Sequence, residues 1–230
     1  MYKKHGFDSK NDLIIGPDSI PIDDKNGDYL TIYPKNKGKC LPPSCFCEIG
    51  ELIRNGGFEI PGVEPGQVFS DWRLGLSSES INISMTFENV YEGDSAASIQ
   101  TTATPTPESK LLQLRQNIIV TPGCLYRLKF AERLVALGNI DTVLPVLVAR
   151  IFYVYQGFEY DLLNKPIKKS QIDTKYNLHR EEARVPVPCN VSGVVVQFEF
   201  FITDSGGSVW NLDAVSLRAV SKTSACCCKE

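Results

Sequence analysis

The chain has 230 residues, 43% of them hydrophobic and 10% aromatic, which is ample material for a packed core. Its formal net charge is −3, with 24 Lys and Arg against 27 Asp and Glu, so it lacks the basic footprint of a nucleic-acid binder. It contains no run of about twenty apolar residues to cross a bilayer as a helix, and no apolar stretch follows Met1-Tyr2-Lys3-Lys4-His5 to make a secretory signal.

Residues 1–50 read as an extended connector. Gly16-Pro17-Asp18 and Asp23-Asp24-Lys25-Asn26-Gly27-Asp28 are turn and coil signals. Between and after them, Tyr29 to Tyr33 alternates as one short strand, which needs a sheet edge to pair with. The connector ends in Cys40-Leu41-Pro42-Pro43-Ser44-Cys45-Phe46-Cys47, where the two prolines hold the backbone extended.

From Glu51 the pattern is β throughout. Glu51 to Glu59 is expected to be the first strand, with Asn55-Gly56-Gly57 supplying a tight turn at positive φ. Strands are expected at Val68–Leu74, Ser80–Val90, Ala96–Thr102, Leu111–Val120, Cys124–Leu137, Val143–Gln156, Val194–Thr203 and Val209–Val220, from their alternation and β-branched content. Thr121-Pro122-Gly123 is a turn. Phe158 to Glu182 is charged and reads as a long surface loop, and Val185 to Cys189, with its prolines, as an extended edge. Phe58, Trp72, Phe130 and Trp210 are core aromatics. The predicted fold class is all-β: an antiparallel β-sandwich of jelly-roll type over 51–220, with an extended N-terminal arm at 1–50 and a short Cys-rich tail at 221–230.

Leu52-Ile53-x-Asn55-Gly56-Gly57-Phe58-Glu59, Trp72, Gly93-x-Ser95-Ala96, the Leu114 to Phe130 segment and Trp210-x-Leu212-Asp213-x-Val215-Ser216-Leu217 together resemble the carbohydrate-binding-module type of jelly roll, which is galactose-binding-like in architecture. Within it, the chain is similar to the amino-terminal domain that precedes collagen-like repeats in surface proteins of spore-forming bacteria, although no Gly-x-y repeat follows here. The resemblance implies a structural Ca²⁺ at Glu59, Ser95 and Asp213, in keeping with the oxygen ligands that ion takes. Independently, two turn carboxylates that hydrogen-bond locally would explain the same residues.

Sugar binding calls for exposed aromatics that stack on pyranose rings. The candidates are Tyr153, Tyr155, Phe158 and Tyr160, although strand alternation sends some of them towards the core. Nothing points to catalysis. His5 and His179 sit in polar surroundings, the spacing of Glu159, Asp161 and Asp173 is not fixed, and no nucleophile elbow, phosphate loop or His-x-x-x-His pair is present.

Cysteines at 40, 45, 47, 226, 227 and 228 lie outside the 51–220 domain, and Cys124 and Cys189 lie inside it. Cys45-Phe46-Cys47 lacks zinc-knuckle spacing. Consecutive residues of an extended chain point opposite ways, so Cys226-Cys227-Cys228 suits two partners better than one. The six outer cysteines are therefore candidates for intermolecular disulfides, while Cys124 and Cys189 either pair with each other or accept tail cysteines of another copy. The leading expectation is a self-assembling, disulfide-cross-linked fibre or layer subunit whose arm docks on a neighbour, in plan like endospore appendage subunits. The alternative is a non-catalytic carbohydrate-binding module or adhesin. Partners are then further copies of the chain or a surface glycan, no resident cofactor beyond calcium is implied, and the expected location is the spore or cell surface.

Overall fold

The computed structural model describes residues 46–64, 67–139, 143–221 and 224–225. Among these, ten strands form two antiparallel five-stranded sheets, and no helix occurs. One sheet has the order β1-β4-β9-β6-β7, built from Arg73–Ser77, Glu108–Ile119, Gly193–Asp204, Val146–Tyr155 and Phe158–Lys168. The other has the order β2-β3-β10-β5-β8, built from Ile81–Thr86, Ala96–Thr101, Val209–Ala219, Tyr126–Ala136 and Asn177–Glu182. The expected sandwich is therefore present.

Alternation decides which residues go inside. Leu112, Leu114 and Ile118 of β4 face Phe198 and Phe200 of β9, and Leu147, Ala149 and Ile151 of β6 continue that layer. From the opposite sheet come Ile99, Leu128, Phe130, Trp210 and Leu212. Aromatics form the spine: Phe58 packs on Phe69 and Trp72, Trp72 on Phe198, Phe198 on Phe130, and Phe200 on Trp210. The four aromatics predicted for the core are all fully buried.

Three expectations are corrected. Glu51 to Glu59 is not a strand; it is an irregular strap fixed by side chains. Gln116 clasps the Arg54 backbone from both sides, accepting from its N–H at 2.9 Å and donating to its C=O at 2.8 Å. Positive φ falls on Asn55 and Phe58, not on the glycines between them. Gly56 is needed for space, since a Cβ there would come within 1.9 Å of the Val215 carbonyl. Val68–Leu74 is mostly turn, with one bridge between Pro61 and Phe69, and β1 begins only at Arg73. Phe158–Glu182, read as a loop, contains two strands, β7 and β8. Both are sheet edges: β7 carries the polar Glu159, Asp161 and Asn164 outward, and β8 places the polar Asn177, His179 and Glu181 on its inward side, and this hides their period.

Residues on either side of 51–220 are also fastened to the sandwich. Cys47 is buried and bonded to Cys124, 77 residues away. At the other terminus Ala225 donates to the Gly123 carbonyl and Ser224 to that of Pro122. The structure thus pairs Cys47 within the chain instead of leaving it for a second subunit, because its Cα lies 5.8 Å from that of Cys124. Cys189 is disulfide-bonded too. Cys40, Cys45 and Cys226–Cys228, with the arm strand Tyr29–Tyr33, lie outside the described residues. No helix among the described residues is long and apolar enough to cross a membrane.

Candidate functional site

The expected calcium residues do meet. Glu59 Oε1 accepts from the amides of Asp94 and Ser95, and Oε2 accepts from the Ser95 hydroxyl at 2.9 Å. Asp213 Oδ2 accepts from the amides of Tyr91 and Glu92, and Oδ1 from that of Ala214. Gly93 lets the loop pass, for a Cβ there would stand 2.0 Å from Glu59 Oε1. Burial pushes the Glu59 carboxyl up, but the Ser95 hydroxyl and the two amides outweigh it and hold the group below its ordinary value. Burial pushes Asp213 up and the Glu59 charge adds to this, while the Glu92, Tyr91 and Ala214 amides offset only part of it.

Five amides and one hydroxyl thus occupy the pair, leaving about one of four acceptor positions on each carboxylate. Calcium takes about six to eight oxygens, and no group of three His, Cys, Asp or Glu residues gathers among the described residues. The residues fit a carboxylate clasp on the 91–95 loop. These side chains alone do not complete a calcium cage, whose remaining oxygens would have to come from backbone carbonyls.

The four aromatics are also brought together. Tyr153 lies opposite Tyr160, and Tyr155 opposite Phe158, across the two-residue turn Gln156-Gly157, so all four share one face of the β6–β7 hairpin. The turn has φ 51° and 77°, as a tight hairpin of right-handed twist requires. Tyr153 and Tyr160 stack on each other at 5.3 Å, and Tyr155 is tilted 58° to Tyr160. Tyr153 also packs on the core. Only Phe158 presents most of its ring to solvent. Tyr153, Tyr155 and Tyr160 pack on one another, and Phe158 stands out at the end of the hairpin.

The more telling arrangement is one that the sequence reading missed. On the outward side of the β1-β4-β9-β6-β7 sheet, register aligns one polar side chain per strand: Arg73, Arg115, Gln197, Arg150 and Asn164. Beside this row, Gln113 stands opposite Glu199. Gln113, Gln197 and Arg150 all donate to Glu199 Oε1. Arg150 also binds Asp161 at 2.7 Å and Glu159 at 2.9 Å, and its guanidinium lies 4.6 Å from the Phe152 ring centre. Burial works against the Arg150 charge, but Asp161 and Glu159 raise its pKa further. Gln197 is 2% exposed and Glu199 9%, although they point away from the core. A buried polar group on an outward face is the informative kind of burial. The signal in the sequence is small: Gln197 and Glu199 interrupt Val194–Ile202, and Arg150 interrupts an apolar strand.

A second polar cluster lies between the sheets. Glu132, fully buried, accepts from Trp210 Nε1 at 2.8 Å, pairs with Lys169 at 2.8 Å and meets His179 Nε2 at 3.1 Å. His179 stacks on Phe130. It is a satisfied core histidine and not a solvated loop residue. Asp173, whose distance from Glu159 and Asp161 the sequence left open, binds Lys169 and the Leu134 amide.

No protein-family model matches the chain, and no curated protein does. Solved structures do match. The enzymatically active domain of tailspike protein 4 of bacteriophage CBA120 superposes with TM-score 0.51 at 14% identity, over 74% of this chain and 21% of that one. The module TmCBM61, solved with β-1,4-galactotriose, gives TM-score 0.50 at 16% identity, over 74% of this chain and 99% of that one. The CBM22-1 xylan-binding domain of Paenibacillus barcinonensis Xyn10C gives 0.44 at 10% identity, over 76% and 96%. This chain therefore spans about a fifth of the tailspike chain but nearly all of the TmCBM61 module. At these identities the likeness is one of architecture: the fold is a β-sandwich of the kind seen in carbohydrate-binding modules.

Proposed function

We propose that the domain is a non-catalytic carbohydrate-binding module that lays a glycan across the outward face of the β1-β4-β9-β6-β7 sheet. The observation that supports this reading is the row Arg73, Arg115, Gln197, Arg150 and Asn164. Planar amide and guanidinium groups offer donors and acceptors in fixed geometry, which suits the neighbouring hydroxyls of a sugar. Glu199 orients three members of this face from beneath. Glu159, Asp161 and Glu199 all serve one guanidinium, so each acts as scaffold. Display on a spore or cell surface belongs with this reading.

The test is affinity electrophoresis and a glycan array with three variants. Arg73→Ala and Arg115→Ala should each weaken binding about tenfold or more, the loss of a bidentate polar contact. Tyr160→Ala should change it less than about twofold, because its ring is spent on Tyr153. The reverse pattern would move the site to the hairpin, and binding to no glycan would refute the reading.

A second reading, the self-assembling subunit, has one structural support. Ile119, Phe158 and Val185 are 86%, 68% and 52% exposed near the pole where β4 ends and β7 begins, and Phe46, 71% exposed, adjoins Cys47 there. Exposed apolar residues gathered at one end mark an interface. Under non-reducing conditions this reading expects ladders of linked chains and cross-linked peptides containing Cys40, Cys45 or Cys226–Cys228. A lasting monomer in oxidising buffer would discard it.

A further inference from the structure

A cleft of about 220 Å³ opens on the outward face of the opposite sheet, lined by Ile49, Arg127, Lys129, Ser216, Arg218 and Ala219. Register explains its chemistry. Arg127 stands directly across from Arg218, and Lys129 from Ser216, on β10. On the other flank Lys129 stands across from Arg180, and Arg127 from Glu182, on β8. Like charges directly opposite on paired strands are unfavourable, and here two such pairs adjoin in a chain whose net charge is −3. A local rule broken without structural gain points to function.

Two carboxylates answer the four cations. Glu182 binds Arg127, and Glu51 accepts from Arg218 Nε at 3.0 Å and from the Ser216 hydroxyl at 2.6 Å. Lys129 is half-buried and has no hydrogen-bond or ion-pair partner among the described residues, and Arg180 has none either. With two carboxylates set against four cations the patch keeps a net positive charge, and the solvent-accessible Lys129 ammonium is open to an anion.

We propose that this cleft is an oxyanion site, in which Lys129 holds a carboxylate or phosphate group and the terminal N–H groups of Arg218 and Arg127 flank it. Ile49 and Ala219 supply an apolar edge for the atoms that carry the charge. The volume is below the roughly 300–1,000 Å³ of pockets for drug-sized ligands, so it suits one small anionic group. The site is independent of the glycan reading, since it lies on the other sheet.

The experiment is calorimetric titration of the full chain with inorganic phosphate and, separately, with glucuronate. At least one should bind saturably in the millimolar range or tighter, and added salt should weaken it. Lys129→Gln should reduce that affinity about tenfold or more, Lys129→Arg should restore most of it, and Lys168→Gln, at an exposed lysine of the other sheet, should leave it unchanged. Phosphate alone would assign a phosphate ligand, glucuronate alone a carboxylate, and both the shared oxyanion. Saturable binding of neither, or binding that survives in a folded Lys129→Gln chain, overturns the site.

Discussion

Lys110 and Asp204 are both sealed from solvent, 2.8 Å apart, at the end of the sandwich where β9 finishes. Lys110 also donates to the carbonyls of Thr102 and Asp204, and Asp204 accepts from the Thr101 hydroxyl at 2.7 Å. One buried ion pair thus ties β4, β9 and the end of β3. Taking away one partner strands the other charge, which costs about 3–5 kcal/mol. Burial pushes the Asp204 carboxyl up, but Lys110, Ser208, Thr101 and the Gly206 amide outweigh it and hold the pKa below its ordinary value. A depressed carboxyl stabilises the fold above its unfolded pKa of about 3.9, and that stability is lost as pH falls through the folded value. Lys110→Met should therefore lose about 3–5 kcal/mol near neutral pH in chemical denaturation, and the gap to the native chain should narrow below about pH 4. A gap that stays constant across pH would show that the ion pair is not its source.

At the scale of elements, legibility followed burial. Strands with one apolar face, such as β4 with Leu112, Leu114 and Ile118 inside, announce themselves by alternation. β7 and β8 were hidden for a common reason. Both are edges, and edge strands carry charge and proline on purpose. In β7, Glu159, Asp161 and Asn164 face Arg150 or its neighbours, and Pro166 costs little at an unpaired edge. In β8, His179 turns inward to Glu132, a contact that no local pattern reveals. The strap at 51–59 was misread because its hydrogen bonds come from Gln116 and from β10, both far away in sequence. The clasp of Glu59, Ser95 and Asp213 was legible from the family resemblance. The row on the sheet face was not, because it depends on register between five strands, and register is a property of the assembled sheet.

For the whole molecule, the bond between Cys47 and Cys124 closes a loop over 77 residues. Closure on that scale restricts the unfolded chain by about 4.5 kcal/mol in the chain-entropy treatment. The double variant Cys47→Ala, Cys124→Ala should unfold at lower denaturant, losing roughly 2–5 kcal/mol, and a reducing agent should bring the native chain towards it. Equal midpoints for variant and native chain would remove the bond from the account of stability. The same pole holds Ala225 on Gly123 and Ser224 on Pro122, so the strap and the last described residues are fastened around one turn.

The two sheets turn their outward faces in opposite directions, about 10 Å of core between them. On one face lies the row from Arg73 to Asn164, and on the other the cleft around Lys129. Occupants of the two would never collide. With both proposed sites filled, the sandwich is divalent, with a glycan on one face and a small oxyanionic group on the other. Joining two weak grips in one rigid body raises avidity through effective concentration, without a new contact on either side.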